Sequence, residues 1–342
     1  MPRRLAELPS PATLDLDSLV PPPRFGRVDF DSFVAHDPSQ AAARLRVEEA
    51  ALATPAPQGR RFGRWRRRPA APLGLYLDGG FGVGKTHLLA AAFHAAPVAS
   101  KRYLSFHELV YLIGVMGMRV ARERLGDARL YCLDEFELDD PGNTLIVKTF
   151  LAHVFESGAL VITTSNTPPE AQGAGRFNAE DFVREIQSIA ERFTVVPIEG
   201  PDARRGLVGG RLLGAEDLPT PPTEVVRATW REFLDHLASH HPSRYRAHLE
   251  AAGGIVVEGV EPIGGQNDAL RFVHFVDKAY DLRIPLWLSG DPSVGDVAID
   301  DLFDPSYAGG AYAKKYHRAS SRLSEILREA RALTSRRASV EG

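Results

Sequence analysis

The stretch LGLYLDGGFGVGKTHLLAAAFHAA, residues 73–96, decides the fold of this chain. It begins with a short apolar run at 73–78, which predicts a buried strand, and ends with helix formers at 85–96. The turn between them, from Gly79 to Thr86, matches the pattern G-x-x-x-x-G-K-[ST] at every defined position. A strand, a glycine-rich turn and a helix in this order are typical of a loop that binds phosphate groups.

The chemistry of phosphate binding explains the residue types in this turn. Glycines let backbone N–H groups approach phosphate oxygens closely, and the N-terminus of the following helix adds partial positive charge. We expect Lys85 to reach the β- and γ-phosphates of ATP, and the Thr86 hydroxyl to ligate Mg²⁺. The predicted nucleotide contacts are consecutive: Gly79, Gly80, Phe81, Gly82, Val83, Gly84, Lys85, Thr86 and His87.

Apolar runs and helical patterns alternate after this turn. Further strands, each separated from the next by a helical pattern, are predicted at 101–106, 129–134, 159–165 and 193–199. Apolar strands that alternate with helices predict a parallel sheet covered on both faces. The expected fold class is therefore an α/β P-loop NTPase of the AAA+-like type, with a parallel sheet sandwiched by helices and a mixed α/β C-terminal region.

Composition predicts three parts of the chain. Residues 1–72 form an N-terminal segment with a helix and a basic lead-in, 73–213 form the P-loop core, and 214–342 form the C-terminal α/β region. The Pro-rich segment 214–224 is the predicted linker. Within the C-terminal region we expect helices near 223–239, 267–280 and 312–335, and strands at 254–260 and 284–290.

Two carboxylates, Asp134 and Glu135, stand at the end of the predicted strand 129–134. Two acids at the end of a buried strand are costly unless they serve a function, although an ordinary polar loop is the alternative. We expect Asp134 to hold Mg²⁺ through water, and Glu135 to polarise the water that attacks the γ-phosphate. Asn166, which follows the strand 159–165, is placed to orient that water, with helix capping as the alternative.

Hydrolysis also requires positive charge on the transition state, often supplied by an arginine of a neighbouring subunit. The chain contains 41 Lys and Arg residues, so each single arginine is more often a surface residue than a catalytic one. The candidates for this role are Arg176, Arg184, Arg204, Arg205, Arg318 and Arg322.

The bulk composition excludes several classes of protein. The net charge of −3 gives no overall attraction to nucleic acid, and the one cysteine, Cys132, leaves no disulfide framework within the chain. No segment approaches the roughly 20 apolar residues that span a bilayer, and the N-terminus lacks the apolar core of a signal peptide. We therefore expect a cytoplasmic protein in which Cys132 is a small buried hydrophobe.

Two local clusters contain residue types that are found in binding sites, but an ordinary surface explanation is expected for each. The arginine-rich segment 60–68, which includes Phe62 and Trp65, has the residue types of a nucleic-acid site, but a solvated loop is the commoner explanation. His236, His240 and His241 lie on one predicted helix at a spacing that can hold a metal. No acidic motif accompanies them, so a polar helix end is expected.

Longer strings carry a resemblance to a known family. The strings are GLYLDGGFGVGKTHLLAA, LDEFELDD and TTSNTPPE, supported by PPPRF near the start, GRF at 175–177, and FVDKAYD, IPLWLSG and YHRASSRLSEIL near the end. Together they resemble the ZapE-type cell division ATPases and their mitochondrial relatives over most of the chain. One departure is the string DARR at 202–205, where many members carry D-Y-R, so the aromatic residue before Arg204 is missing in this chain.

The resemblance implies an AAA+-type ATPase that is often oligomeric and acts on protein partners. Bacterial members are linked to the constricting FtsZ ring, and mitochondrial members to the turnover of respiratory-chain subunits. It also implies that Arg176 acts in trans on a neighbouring subunit. By position, the roles given above are retained by Lys85, Thr86, Asp134, Glu135 and Asn166.

The function expected from the sequence is Mg²⁺-dependent ATP hydrolysis that drives remodelling of a protein partner, with FtsZ as the candidate and a homo-oligomer as the expected state. A nucleic-acid motor or helicase loader is the first alternative, although nucleic acid is not the expected partner. A nucleotide switch without hydrolysis is the second, and Glu135 and Asn166 argue against it. Peripheral contact with a membrane stays open.

Overall fold

The structure is a computed structural model that describes residues 5, 8, 16, 19–54, 74–138, 140–169, 172, 180–201, 210–219, 225–291, 297–308 and 312–341. Its contacts divide the chain into two compact units. We call them the P-loop unit, residues 25–203 with 15–21, and the C-terminal unit, residues 204–342 with 1–14 and 22–24. None of the described helices is long and apolar enough to cross a membrane.

The P-loop unit alternates strands and helices as its sequence predicts. All five predicted strands are confirmed, with ends that differ by one residue at most. The elements are α1 (Pro38–Leu52), β1 (Gly74–Gly79), α2 (Lys85–Ala95), β2 (Lys101–Ser105), α3 (Phe106–Met116), α4 (Met118–Leu125), β3 (Leu130–Asp134), α5 (Pro141–Glu156), β4 (Leu160–Ser165), α6 (Glu180–Ala190) and β5 (Phe193–Ile198).

The five strands form one parallel sheet in the order β2-β3-β4-β1-β5. Successive residues of a strand enter different apolar clusters: Leu75 and Leu77 of β1 face one, and Tyr76 faces the other. The sheet is therefore buried on both faces, which confirms the predicted α/β fold class. Cys132 of β3 is fully buried, as expected, and burial raises the pKa of its thiol.

The strand order determines which loops meet. Because β3, β4 and β1 are consecutive neighbours, the loops that leave their carboxyl ends lie side by side. These loops carry Asp134 and Glu135, Asn166, and the glycine-rich turn before Lys85. The sheet thus brings together residues that are far apart in the sequence.

Helix α1 belongs to the P-loop unit, whereas composition placed it in a separate N-terminal segment. Its Gln40 is buried, and the side-chain oxygen accepts hydrogen bonds from the backbone N–H groups of His36 at 2.6 Å and Asp37 at 3.1 Å. The Gln40 amide donates to the carbonyl of Val83 at 3.3 Å. The start of α1 is therefore tied to the glycine-rich turn, because Val83 lies within it.

The C-terminal unit has its own sheet, with three parallel strands in the order β6-β7-β8. It is the mixed α/β region that the sequence predicts. The elements are β6 (Val226–Thr229), α7 (Trp230–Ser239), α8 (Tyr245–Ala252), β7 (Ile255–Val260), α9 (Gln266–Leu282), β8 (Leu286–Gly290), α10 (Pro305–Ala308) and α11 (Ala313–Glu341).

The helix predicted at 223–239 is wrong at its start, since β6 occupies part of that range. The actual start of α7 is a capping box: Glu232 N–H donates to Thr229 Oγ1 at 3.3 Å, and Thr229 N–H donates to Glu232 Oε2 at 2.9 Å. Val226 and Ala228 are buried through pairing with β7, which local helix propensity does not reveal. Helix α8 was not predicted at all.

The predicted boundary after residue 213 also differs from the division given by the contacts, in which the C-terminal unit already begins at residue 204. Leu213 forms a bridge with Ser289, and its N–H donates to the Leu288 carbonyl at 2.8 Å. Arg211 forms a second bridge with Ala298. These residues therefore extend the C-terminal unit.

Two candidate trans-acting arginines, Arg318 and Arg322, are structural. Both lie on α11, are less than a tenth exposed, and bind the carboxylate of Asp277 on α9, at 2.5 and 2.6 Å. An arginine that completes a neighbour's site must reach outside its own chain, which these side chains do not. The strings FVDKAYD and HRASSRLSE thus each supply one side of a buried ion cluster.

Replacing Asp277 by Ala should lower the free energy of unfolding of the C-terminal unit by about 3–5 kcal/mol, because two buried guanidinium groups lose their counter-charge. Asp268→Ala is the matched control on the same helix. Asp268 pairs with Arg271, and the two side chains are 43% and 36% exposed. We therefore expect the free energy of unfolding to change by about 1 kcal/mol or less. Urea unfolding of both variants checks this, and equal midpoints would contradict a stabilising role for the Asp277 cluster.

Candidate active site

The glycine-rich turn adopts a conformation that requires glycine. Gly82 and Gly84 have positive φ angles of 70° and 92°. A Cβ atom on Gly84 would also lie 2.4 Å from Cε2 of Phe33, so both backbone angle and space exclude a larger residue. Gly84 is the N-cap of α2 and provides no side-chain cap. The first N–H groups of α2 are therefore suited to an anion such as phosphate.

Lys85 connects the turn to the end of β4. Its ammonium donates to the carbonyls of Gly79 at 2.7 Å and Gly80 at 2.6 Å, and to Oδ1 of Asn166 at 2.9 Å. Because an ammonium only donates, the amide oxygen of Asn166 must face it. The predicted phosphate lysine and the predicted water-orienting asparagine thus lie in direct contact.

Asp134 is held by hydroxyl groups from three other elements. Its Oδ1 accepts from Thr164 Oγ1 at 2.5 Å and from Thr86 Oγ1 at 3.3 Å. Its Oδ2 accepts from the Tyr103 hydroxyl at 3.0 Å. Thr86 and Asp134, the predicted metal residues, therefore lie together with their oxygens converging.

The donor set fits Mg²⁺. A hydroxyl and a carboxylate are hard oxygen ligands of the kind Mg²⁺ prefers, and Mg²⁺ usually uses one or two carboxylates together with water and substrate phosphates. Thr86 and Asp134 are the residues that would hold it. The anion-binding start of α2 lies directly beside them, since Thr86 is the second residue of that helix.

Glu135 has an unusual backbone conformation, with a φ angle of 53°. Its N–H donates to Thr164 Oγ1 at 3.0 Å and to Asp134 Oδ1 at 3.2 Å, and these bonds hold the turn. The following residue, Phe136, is fully buried, and its N–H donates to the Thr164 carbonyl at 2.7 Å. A left-handed glutamate costs of order 1 kcal/mol or more, so the surrounding contacts impose it. The DEF string is explained by this turn, since Phe136 anchors it in the core.

Gln172 connects the loops that follow β3 and β4. Its side-chain oxygen accepts from the Leu138 N–H at 2.8 Å, and its amide lies 3.0 Å from Ser165 Oγ and 3.1 Å from the Phe136 carbonyl. The amide also donates to the Tyr76 hydroxyl at 2.8 Å, and burial raises the pKa of Tyr76 to about 12, so this hydroxyl keeps its proton. Gln172 thereby sets the spacing between the loop of Glu135 and the loop of Asn166.

Three positioning residues, Tyr103, Thr164 and Gln172, were not predicted from sequence. Thr164 belongs to the string TTSNTPPE, but a string of residues does not reveal its contact with Asp134. Tyr103 has no local signal, because its role depends on β2 lying beside β3. Gln172 acts across loops that only the folded sheet brings together.

The remaining predicted residues are placed as follows. The ring nitrogen Nε2 of His87 lies 3.0 Å from the Asp29 carbonyl and 3.1 Å from Ser32 Oγ, so its side chain contacts the N-terminal part of the unit. Arg184 is exposed on α6. The candidates Arg176, Arg204 and Arg205 and the segment 60–68 lie outside the described residues.

A family model for AFG1-like ATPases matches residues 28–209 and 218–334. The chain belongs to the AFG1-like ATPase family. This membership agrees with the predicted ZapE-type resemblance and establishes the chain as an ATPase with a nucleotide-binding P-loop.

The relatives differ in how much of the chain they match. An uncharacterised protein of Schizosaccharomyces pombe is 20% identical over 78% of this chain and 72% of its own length. The cell division protein ZapE of Escherichia coli is 27% identical over 38% of each chain. The lactation elevated protein 1 homolog B of Danio rerio is 28% identical over 39% of this chain and 30% of its own. The chain thus matches well under half the length of the two relatives with specific names.

Solved structures with a similar chain path include DnaI and an AMPPCP-bound DnaA. DnaI has a TM-score of 0.39 and 20% identity, and it covers 55% of this chain and 98% of its own. The DnaA of Aquifex aeolicus has a TM-score of 0.38 and 17% identity over 52% of each chain. TM-scores this low carry no functional comparison.

Proposed function

We propose that this AFG1-like ATPase uses Mg²⁺-dependent ATP hydrolysis to remodel a protein partner, and that its bacterial task is in cell division at the FtsZ ring. The observation that carries the hydrolytic part is the convergence of Lys85, Thr86, Asp134 and Asn166 at one edge of the sheet, with Lys85 Nζ 2.9 Å from Asn166 and Thr86 Oγ1 3.3 Å from Asp134. The same proposal gives a cytoplasmic location.

Each residue has a distinct part in the proposed reaction. The start of α2 and Lys85 bind the phosphates, and Lys85 offsets their negative charge. Thr86 and Asp134 would hold Mg²⁺, which would supply further charge neutralisation. Glu135 orients and polarises the attacking water as a general base, and Asn166 positions the water against the γ-phosphate.

The geometry supports hydrolysis rather than nucleotide binding alone. A switch protein needs the phosphate loop, but it does not need a second carboxylate after the metal-binding one. In this chain Glu135 follows Asp134 directly, and the backbone contacts to Thr164 fix its unusual conformation. Strained residues that are held by surrounding structure occur preferentially at functional sites.

A protein partner is supported by the named bacterial relative, which is a cell division protein. The chain's net charge of −3 also gives no general attraction to nucleic acid. Turnover measured with and without purified FtsZ tests this part of the proposal, with single-stranded DNA as the second arm. Stimulation by FtsZ supports it, whereas stimulation by DNA alone would favour a loader-type motor.

The transition-state charge is proposed to come from Arg176 of a neighbouring subunit in a homo-oligomer. If so, activity per chain should rise with protein concentration, and Arg176→Ala should bind ATP normally but hydrolyse it about 100-fold more slowly. Mixing Arg176→Ala with Lys85→Ala chains should restore some activity, because each chain supplies the group that the other lacks.

Arg184→Ala is the matched control, since Arg184 is an exposed arginine on α6. Its turnover should equal that of the wild type. A defect in Arg184→Ala with normal turnover in Arg176→Ala would reassign the role, and concentration-independent turnover of the wild type would reject a shared site.

A further inference from the structure

Three histidines of the C-terminal unit come together where α7 ends and α8 begins. His236 lies on α7, His240 is the C-cap of that helix, and His248 lies on α8. One ring nitrogen from each lies within 4.8 Å of the others. The sequence predicts a polar helix end formed by His236, His240 and His241, whereas the third member of the cluster is His248. His241 is exposed and does not belong to the cluster.

The local fold explains why these residues meet. The chain leaves α7 in an extended conformation at His240, with φ −125° and ψ 142°, and returns in α8. The Tyr245 hydroxyl then donates to the Leu237 carbonyl at 2.9 Å, which fixes the start of α8 against the end of α7. His248, one turn further along α8, is only 2% exposed and faces the end of α7.

The hydrogen bonds of His240 leave one of its nitrogens available. Its Nδ1 lies 2.9 Å from both the His236 carbonyl and Ser239 Oγ, and because a carbonyl only accepts, the contact with His236 is a hydrogen bond when Nδ1 carries the hydrogen. In the neutral imidazole the lone pair is then on Nε2. A metal-bound histidine typically donates its other N–H to a carbonyl or carboxylate, which fixes the ring in this way.

The nitrogens of the other two rings have the spacing of metal ligands. Nε2 of His236 and Nδ1 of His248 lie 3.1 Å apart. Zinc–nitrogen bonds of about 2.0–2.1 Å place two ligands of a tetrahedral ion about 3.4 Å apart. The ring centroids are 4.4, 4.6 and 4.9 Å apart, so the three imidazoles pack against one another in one cluster.

We propose that His236, His240 and His248 form a binding site for a divalent zinc-type transition-metal ion, distinct from the Mg²⁺ residues of the P-loop. Three neutral imidazoles suit Zn²⁺ and related ions and do not suit Mg²⁺. The fourth ligand of a tetrahedral ion would be water, since His236 and His240 are only partly buried. The neighbouring cation Arg244 opposes a bound ion, but it is exposed, so water weakens its repulsion.

The proposed ion would join the end of α7 to α8. Its ligands come from both helices, so binding adds a cross-link that the unfolded chain lacks, and the stability of the C-terminal unit rises with metal concentration. This consequence does not depend on ATP hydrolysis, so the site is tested separately from the proposed function.

The test is titration of the metal-free chain of 342 residues with Zn²⁺ in excess Mg²⁺, which occupies oxygen ligands without competing for imidazole. We expect one Zn²⁺ per chain with a dissociation constant in the micromolar range or below. His240→Gln and His248→Gln should weaken binding by about 100-fold or more, since the loss of a residue that only hydrogen-bonds to a metal ligand already costs about 10–100-fold. His241→Gln, the exposed neighbour, should bind as the wild type does.

Co²⁺ provides a readout of the ligands, because tetrahedral Co²⁺ absorbs visible light far more strongly than the aqua ion. The wild type and His241→Gln should show this absorption, and His240→Gln should not. His240→Gln keeps the test decisive if the buried His248 variant does not fold. Absence of stoichiometric Zn²⁺ binding by the wild type would overturn the proposal, as would unchanged affinity in His240→Gln.

Discussion

Glu135→Gln should bind ATP with wild-type affinity and hydrolyse it about 1000-fold more slowly. The substitution keeps the shape of the side chain and removes the negative charge that activates water. The turn itself should persist, because the backbone N–H of Glu135 and the neighbouring Phe136 both hold it. The variant therefore separates the chemical step from binding and folding.

The measurement is turnover under saturating ATP, together with ATP affinity by calorimetry. Glu137→Gln is the matched control, since it removes the same charge two residues further along the same loop. We expect wild-type turnover from it. Wild-type turnover in Glu135→Gln would mean that this glutamate is structural, and a loss of ATP binding would mean that the turn depends on its charge.

Lys85→Ala should weaken ATP binding by about 1000-fold. The ammonium is positioned by the carbonyls of Gly79 and Gly80 and by Asn166, so it is already oriented before phosphates bind. Two hydrogen bonds to charged phosphates at about 2 kcal/mol each amount to about 4 kcal/mol, and each 1.4 kcal/mol is tenfold in affinity. Hydrolysis should be lost with binding.

Calorimetric titration with ATP checks this prediction, with circular dichroism to confirm that the variant is folded. Lys101→Ala is the control within the same unit, because Lys101 donates to the carbonyl of Ala96 and not to the glycine-rich turn. Its ATP affinity should be unchanged. Unchanged affinity in Lys85→Ala would end the assignment of this turn as the nucleotide site.

Local sequence patterns were sufficient to predict the strands and the glycine-rich turn of the P-loop unit, because these patterns are strong and recur along the chain. The central strands β3, β4 and β1 are mostly buried on both faces and therefore read as nearly continuous apolar runs, as at Leu130–Leu133. The glycine-rich turn is specific because positive φ at Gly84 and contact with Phe33 both demand glycine. In the C-terminal unit the signals are weaker: β6 has only four residues and precedes a helix without a break.

The sequence by itself determined the fold class and the chemical types at the site, since the periodicity of apolar residues and the P-loop motif are local properties. The tertiary structure alone decided which side chains support them. Tyr103 reaches Asp134 only because β2 pairs with β3, and His248 joins His236 only because α8 turns back on α7. Such contacts join residues 31 and 12 positions apart. They follow from strand order and helix packing, and neither leaves a periodic pattern in the chain.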